Sequence, residues 1–179
     1  MTDKVRIGLI GAGGIARAHV KRLLDTPEAE IVAFADPSEA AAGRMRAEFP
    51  QLAGRPFFGD YREMLDRERL DAVEIATPHT QHYAQGMDAL AAGKHVLMEK
   101  PMVCSVPEAH ALIAAGARSG KVLMISYQRH LEGPYIYVRD LISSGALGEV
   151  QYVAALQSQG WLRGTRGTWR QCRAESGGG

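Results

Sequence analysis

Cysteine is scarce in this chain. The 179 residues contain two, Cys104 and Cys172, which excludes a disulfide-stapled secreted scaffold and fits a reducing, cytoplasmic setting. Excess charge is also missing. Lys and Arg number 21 against 20 Asp and Glu, a formal net charge of +1, so there is no electrostatic footprint for nucleic acid or an acidic membrane. No stretch approaches the roughly 18 consecutive apolar residues of a membrane span. The N-terminus runs into a strand within a few residues and has no signal-peptide layout. No repeat is present, and the only low-complexity segment is Gly177–Gly179. The His and Cys residues lack ligand spacings such as CxxC or HxxxH. His79 and His82 are three apart, but the first falls in a loop, so no metal site is expected. No Ser-His-Asp nucleophile pattern stands out.

Apolar residues are plentiful. At 46% hydrophobic, the chain can bury one large domain, or one domain and part of another. The stretch Val5–Ala16, VRIGLIGAGGIA, organises it. An apolar run reads as a buried strand, followed by a glycine-rich turn and the start of a helix. Gly11, Gly13 and Ala16 hold the three small positions of a dinucleotide-binding fingerprint. Gly11 allows the tight turn, Gly13 lets the backbone approach a pyrophosphate, and Ala16 lets helix and strand pack closely. Gly14 and Ile15 open the helix, whose free N–H groups and positive partial charge suit phosphate. Without its context the same turn would be an ordinary βα connection. An amphipathic helix, Gly14–Asp25, follows, and a second strand, Glu30–Ala35, ends at Asp36. An acidic residue there hydrogen-bonds the adenosine ribose and repels a 2′-phosphate, favouring NAD over NADP. The alternative for Asp36 is a cap or turn residue before Pro37.

Strands and helices alternate onward. Ser38–Phe49 reads as a helix, Pro50–Pro56 as loop, Phe57–Phe58 as a short strand and Asp60–Arg67 as short helix. Asp71–Ala76 reads as strand four, broken by Thr77-Pro78, and Thr80–Ala92 as helix closed by Gly93. His95–Met98 is strand five, with Glu99-Lys100-Pro101 at its carboxyl end. Val106–Ser119 is a helix between Ser105 and Gly120, and Lys121–Ser126 is strand six. The pattern predicts an α/β fold, a doubly wound parallel sheet in the order 3-2-1-4-5-6 over residues 1–126. Its ligands bind outside the carboxyl ends of the strands, near the reversal between strands one and four. Residues 127–179 change character. Pro134–Ser144 reads as a helix, Glu149–Gln157 as β-like and Gly160–Gly179 as loop. One helix and one strand cannot bury their own faces, so this part reads as the start of a second, α+β substrate domain.

These residues resemble the Gfo/Idh/MocA family of NAD(P)-dependent oxidoreductases. The resemblance rests on Gly11–Ala16, on Thr77-Pro78 with His82 four residues beyond Pro78, and on Ala92-Gly93-Lys94-His95-Val96 leading to Glu99-Lys100-Pro101. It extends to Arg129, Ser144-Gly145-Ala146-Leu147-Gly148 and Gly167-Thr168-Trp169-Arg170. It implies a nicotinamide cofactor, and hydride transfer at a hydroxyl- or ketone-bearing carbon of a sugar, inositol or related polyol. It places Thr77 and Pro78 along the cofactor, Glu99 and Lys100 at the nicotinamide, and Lys100 in the catalytic position. A cis peptide before Pro101 is a further expectation.

The chemistry suits lysine. Oxidising an alcohol requires a proton to leave with the hydride, and an ammonium beside the oxygen stabilises developing alkoxide charge. The alternative is a surface lysine paired with Glu99. His82 is a candidate proton relay or polar rim group, against a plain helix-surface histidine. His95 reads as structural. By the resemblance, Gln128 stands where the family often has Asn, and it is placed to reach the nicotinamide amide. Tyr127, Arg129, Trp169 and Arg170 are candidate substrate contacts, against ordinary packing at a domain junction.

By the same resemblance, the family's Asp- and His-bearing segment and most of its substrate sheet lie beyond residue 179. The chain is therefore expected to be an N-terminal portion, poorly ordered on its own over 127–179 because the β-like segment lacks partners. The full-length form is expected to be a homo-oligomer. Two alternatives are a non-catalytic NAD-binding regulator and an NAD-assisted glycoside hydrolase or lyase of the same fold.

Overall fold

A computed structural model describes residues 4–178. Six parallel strands form one sheet in the order β3-β2-β1-β4-β5-β6, as the alternation predicts. They are β1 (Val5–Ile10), β2 (Ala29–Ala35), β3 (Phe57–Phe58), β4 (Ala72–Ile75), β5 (His95–Met98) and β6 (Leu123–Ile125). The helices between them are α1 (Gly14–Leu24), α2 (Glu39–Glu48), α3 (Tyr61–Arg67), α4 (His82–Ala91) and α5 (Val106–Ser119).

Side-chain alternation explains the two-sided core. Leu9, Ile31 and Phe34 face one side, where they pack with Ala16 and Val20 of α1 and Ala41, Ala42 and Met45 of α2. Ile10, Val32, Val73 and Ile75 face the other, against Met64 and Leu65 of α3, Ala89 and Leu90 of α4, and Leu112 of α5. Local signals set the helix ends. Ser38, Asp60 and Ser105 each accept a backbone N–H of the helix they begin. Gly120 closes α5 with φ +65°.

Register is what positions the site. Phe58, Ala35, Ile10, Ile75, Met98 and Ile125, the last residues of the six strands, lie side by side in one row. The residues that follow them therefore emerge along a single edge of the sheet.

Three expectations about the elements are corrected. Glu149–Gln157 is exposed throughout and belongs to no strand. Its alternation would need a neighbouring strand, and the sheet ends at β6. The expected loop after residue 160 instead contains short helices, α7 (Trp161–Thr165) and α8 (Arg173–Ser176), with a 3₁₀ turn at Trp169–Gln171 between them. Before these lies α6 (Gly133–Ser143), after a 3₁₀ turn at Gln128–Leu131. A 3₁₀ turn, His79–Gln81, also precedes α4 where continuous helix was expected.

Candidate cofactor and hydride-transfer site

The glycine turn stands at the middle of the sheet edge. Gly11 has φ +101°, and a Cβ there would come within 2.7 Å of the Ala76 carbonyl oxygen, so glycine is required. Around Gly13 and Gly14 the situation is reversed. Nothing lies within 4 Å of where a Cβ would stand, leaving open space in front of the backbone. Helix α1 starts at Gly14 with no side-chain cap, so its leading amides face that space. Ile15, in this first turn, is exposed.

Asp36 leaves β2 beside the turn and braces it. One carboxylate oxygen accepts the Ala12 N–H at 2.8 Å and the other the Ser38 N–H at 2.8 Å. The cap-or-turn reading of Asp36 is thus realised. Each ionised oxygen has further acceptor capacity, so ribose recognition is compatible with it.

The loops after β4 and β5 are stitched together. The Thr77 hydroxyl donates to Gln85 Oε1 at 2.5 Å, and Gln85 Nε2 donates to Gln81 Oε1 at 3.1 Å. His82 is completely buried. Its Nδ1 lies 2.7 Å from the Pro101 carbonyl oxygen and its Nε2 3.0 Å from that of Thr77. This corrects the relay-or-rim expectation for His82. The ring does not reach the open edge; it ties the two loops that carry Thr77, Pro78 and Lys100. The Lys100–Pro101 peptide is cis, as anticipated.

Glu99 and Lys100 separate. Glu99 turns inward and is 6% exposed, whereas Lys100 is exposed. The Lys100 ammonium makes no ion pair among the described residues. The surface-pair alternative for Lys100 is therefore not what the structure contains. Glu99 instead meets His19 of α1, whose Nε2 lies 3.0 Å from Glu99 Oε1, while its Nδ1 contacts Glu74 of β4. Burial pushes the Glu99 carboxyl up, but the His19 contact and the Lys100 N–H and charge outweigh it, leaving it below its ordinary value.

Sequence reading missed His19 and Glu74. A signal for each was present. Glu74 is a carboxylate inside an otherwise apolar central strand, which demands a partner. His19 shares the inward face of α1 with Ala16 and Val20, at helical spacing.

Beyond β6, Tyr127, Gln128 and Arg129 are all exposed. Arg129 turns toward the residues that follow, donating to Tyr135 Oη at 3.2 Å and standing 3.7 Å from Glu132. Trp169 sets its ring edge-on to His79 at 4.7 Å, and Arg170 stacks over Trp169 at 4.4 Å. The Ser176 carbonyl oxygen lies 3.1 Å from His79 Nδ1, and Thr80 donates to the Ala174 and Glu175 carbonyls. Trp169 and Arg170 are thereby docked against the loop after β4. Burial, chiefly, holds His79 below its ordinary pKa, with Lys100 and Arg170 adding to the effect. His95 Nδ1 accepts the Val122 N–H, a structural role as expected. Among the described residues no group of three His, Cys, Asp or Glu could hold a metal ion. None of the described helices is long and apolar enough to cross a membrane.

A family model described as "Oxidoreductase family, NAD-binding Rossmann fold", Gfo/Idh/MocA, matches residues 5–127. The chain belongs to this family. It is 35% identical over 155 residues to a dTDP-3,4-didehydro-2,6-dideoxy-alpha-D-glucose 3-reductase of Actinomadura kijaniata, covering 86% of this chain and 45% of that protein. It is 28% identical over 164 residues to an inositol 2-dehydrogenase of Rubrobacter xylanophilus, covering 90% and 45%. A solved structure, the WlbA dehydrogenase of Bordetella pertussis with NADH and UDP-GlcNAcA, superposes with a TM-score of 0.74 at 28% identity. It is matched over 81% of this chain and 42% of that one. The chain thus spans less than half the length of these family members.

Proposed function

We propose that this chain is the cofactor-binding part of an NAD-dependent oxidoreductase acting at a hydroxyl- or keto-bearing carbon of a sugar, inositol or related polyol. The observation that carries this reading is the convergence on one sheet edge of an open glycine turn, an acidic residue after β2 and an exposed lysine after β5 that makes no ion pair among the described residues. The sugar- and inositol-directed names of its relatives support the substrate class.

The residues fit the dinucleotide. The open space at Gly13 and Gly14 and the uncapped start of α1 suit its pyrophosphate. Asp36 would take the adenosine ribose hydroxyls and disfavour a 2′-phosphate. Thr77 and Pro78 would line the cofactor, Gln128 would hold its amide end, and nicotinamide would supply the hydride acceptor or donor. Lys100 would stabilise negative charge on the substrate oxygen as its proton leaves or returns. Tyr127, Arg129, Trp169 and Arg170 would present aromatic faces and donors to a hydroxylated substrate. Two free cysteines suit a reducing compartment such as the cytoplasm.

Titration of the 179-residue chain with NADH and with NADPH, followed by nicotinamide fluorescence, tests this. Saturable NADH binding with weaker NADPH binding is expected. A folded chain that binds neither would overturn the reading.

A further inference from the structure

A charged cluster is buried just behind the sheet edge. Glu74 sits on β4, beside Leu9 on one neighbouring strand and Leu97 on the other, and is 3% exposed. A carboxylate there is costly unless it is compensated. His19, 8% exposed, supplies the compensation from α1. Its Nδ1 contacts Glu74 and its Nε2 is 3.0 Å from Glu99. Only the imidazolium carries a proton on both nitrogens and so suits two carboxylates at once. Contact with Glu74, then with Glu99, raises its pKa against burial to about 9, so the ring is charged at neutral pH. Glu74 Oε1 and Glu99 Oε1 both stand within ion-pair distance of the ring, without a well-aligned N–H hydrogen bond.

The second oxygen of Glu99 reaches forward. Oε2 accepts the Lys100 backbone N–H at 3.2 Å, while the Glu99 N–H donates to the Ile75 carbonyl at 2.8 Å. One carboxylate thus joins the His19 ring to the peptide at which the chain turns off the sheet. From the opposite side, His82 meets the Pro101 carbonyl.

We propose that His19 is a positioning residue for Lys100: its imidazolium anchors the Glu99 carboxylate, which accepts the Lys100 N–H and fixes how Lys100 leaves the sheet edge. The importance of Lys100 in turnover rests on the oxidoreductase reading; the chain of contacts from His19 through Glu99 to Lys100 does not, and its test needs neither cofactor nor substrate.

The test is a pH titration of the isotopically labelled 179-residue chain by NMR. His19 ring signals should titrate with a midpoint near 9 rather than the ordinary 6.5. The ¹³C-detected correlation of the Glu99 carbonyl carbon with the Lys100 nitrogen should move with the same midpoint. Those of Ala41–Met45 in α2 should stay still. The charged groups facing the ring are Glu74 and Glu99, so Glu74→Gln should lower the His19 midpoint while the Lys100 signal continues to follow it. In His19→Gln the Lys100 signal should be displaced at neutral pH and lose this pH dependence. A His19 midpoint near 6.5, or a Lys100 signal that ignores the His19 titration, would overturn the proposal. If His19→Gln does not fold, co-titration in the unmodified chain still decides. A sample that fails to bind NADH would count against the cofactor reading and leave these spectra unaffected.

Discussion

Glu99 and Lys100 are adjacent in sequence and face opposite ways: the carboxylate is buried against His19, and the exposed Lys100 makes no ion pair among the described residues. Neighbouring residues of opposite charge usually form a solvated pair of little energetic consequence. Here His19 takes up Glu99, which leaves Lys100 available to a ligand.

Lys100→Ala should therefore cost little stability, because among the described residues the side chain has no ion-pair partner to lose. NADH affinity should stay within about threefold, while turnover of the full-length form should fall by about 10²–10⁴-fold. Parallel measurement of thermal unfolding, NADH binding and steady-state turnover checks this; ordinary turnover in the variant would remove Lys100 from the chemistry.

Asp36 has two tasks that two substitutions separate. Asp36→Asn keeps an acceptor for the Ala12 or Ser38 N–H but removes the charge, so discrimination against NADPH should relax with modest loss of stability. Asp36→Ala loses both backbone hydrogen bonds, and stability should drop by about 1–3 kcal/mol as well. Cofactor titrations and thermal melts of the two variants distinguish the contributions; unchanged selectivity in Asp36→Asn would refute the ribose contact.

The buried cluster gives stability a two-sided pH profile. His19 binds its proton more tightly folded than unfolded. Its contribution is complete below its ordinary 6.5 and is lost as pH rises through about 9. Glu99 has the opposite sign. Its folded pKa is lowered, so its contribution is present above the ordinary 4.5 and is lost as pH falls below that. Thermal midpoints across pH should show a plateau between the two limbs. His19→Gln should abolish the alkaline limb and cost about 3–5 kcal/mol, since two carboxylates lose their counter-charge. An alkaline limb that survives in His19→Gln would assign it to another group.

His82→Phe should fill the same buried space without hydrogen-bonding the Thr77 and Pro101 carbonyls. Loss of the ring's donor to a buried carbonyl predicts a loss of about 1–3 kcal/mol. Weaker NADH binding should accompany it, because both stitched loops border the site. Unfolding by urea, alongside NADH titration, provides the check.

Much of this site is legible from local sequence, for a physical reason. Gly11 and Asp36 directly follow their strands, Thr77 and Lys100 come two residues after theirs, and a parallel α/β sheet aligns its strand ends. Reading the strands therefore locates the edge. The His19–Glu74–Glu99 cluster is harder to see because its members come from a helix, a mid-strand position and a strand end. The spacing of His19 with Ala16 and Val20 marks it as inward-facing, but nothing local names the two carboxylates it meets. His82 misleads for a related reason: its place after Thr77-Pro78 suggests the rim, but the 3₁₀ turn before α4 carries it inward to 0% exposure. Glu149–Gln157 shows the limit of alternation, which describes how a strand would be buried and not whether a neighbouring strand exists to pair with it.

The most direct test of the central claim is the paired titration of the 179-residue chain with NADH and NADPH. The glycine turn, the uncapped start of α1 and Asp36 together predict saturable binding of NADH and at least about tenfold weaker binding of NADPH, the effect of about 1.4 kcal/mol of discrimination at the ribose. Equal affinity for the two would contradict the role of Asp36. Binding of neither, by a chain shown to be folded, would contradict the cofactor site itself.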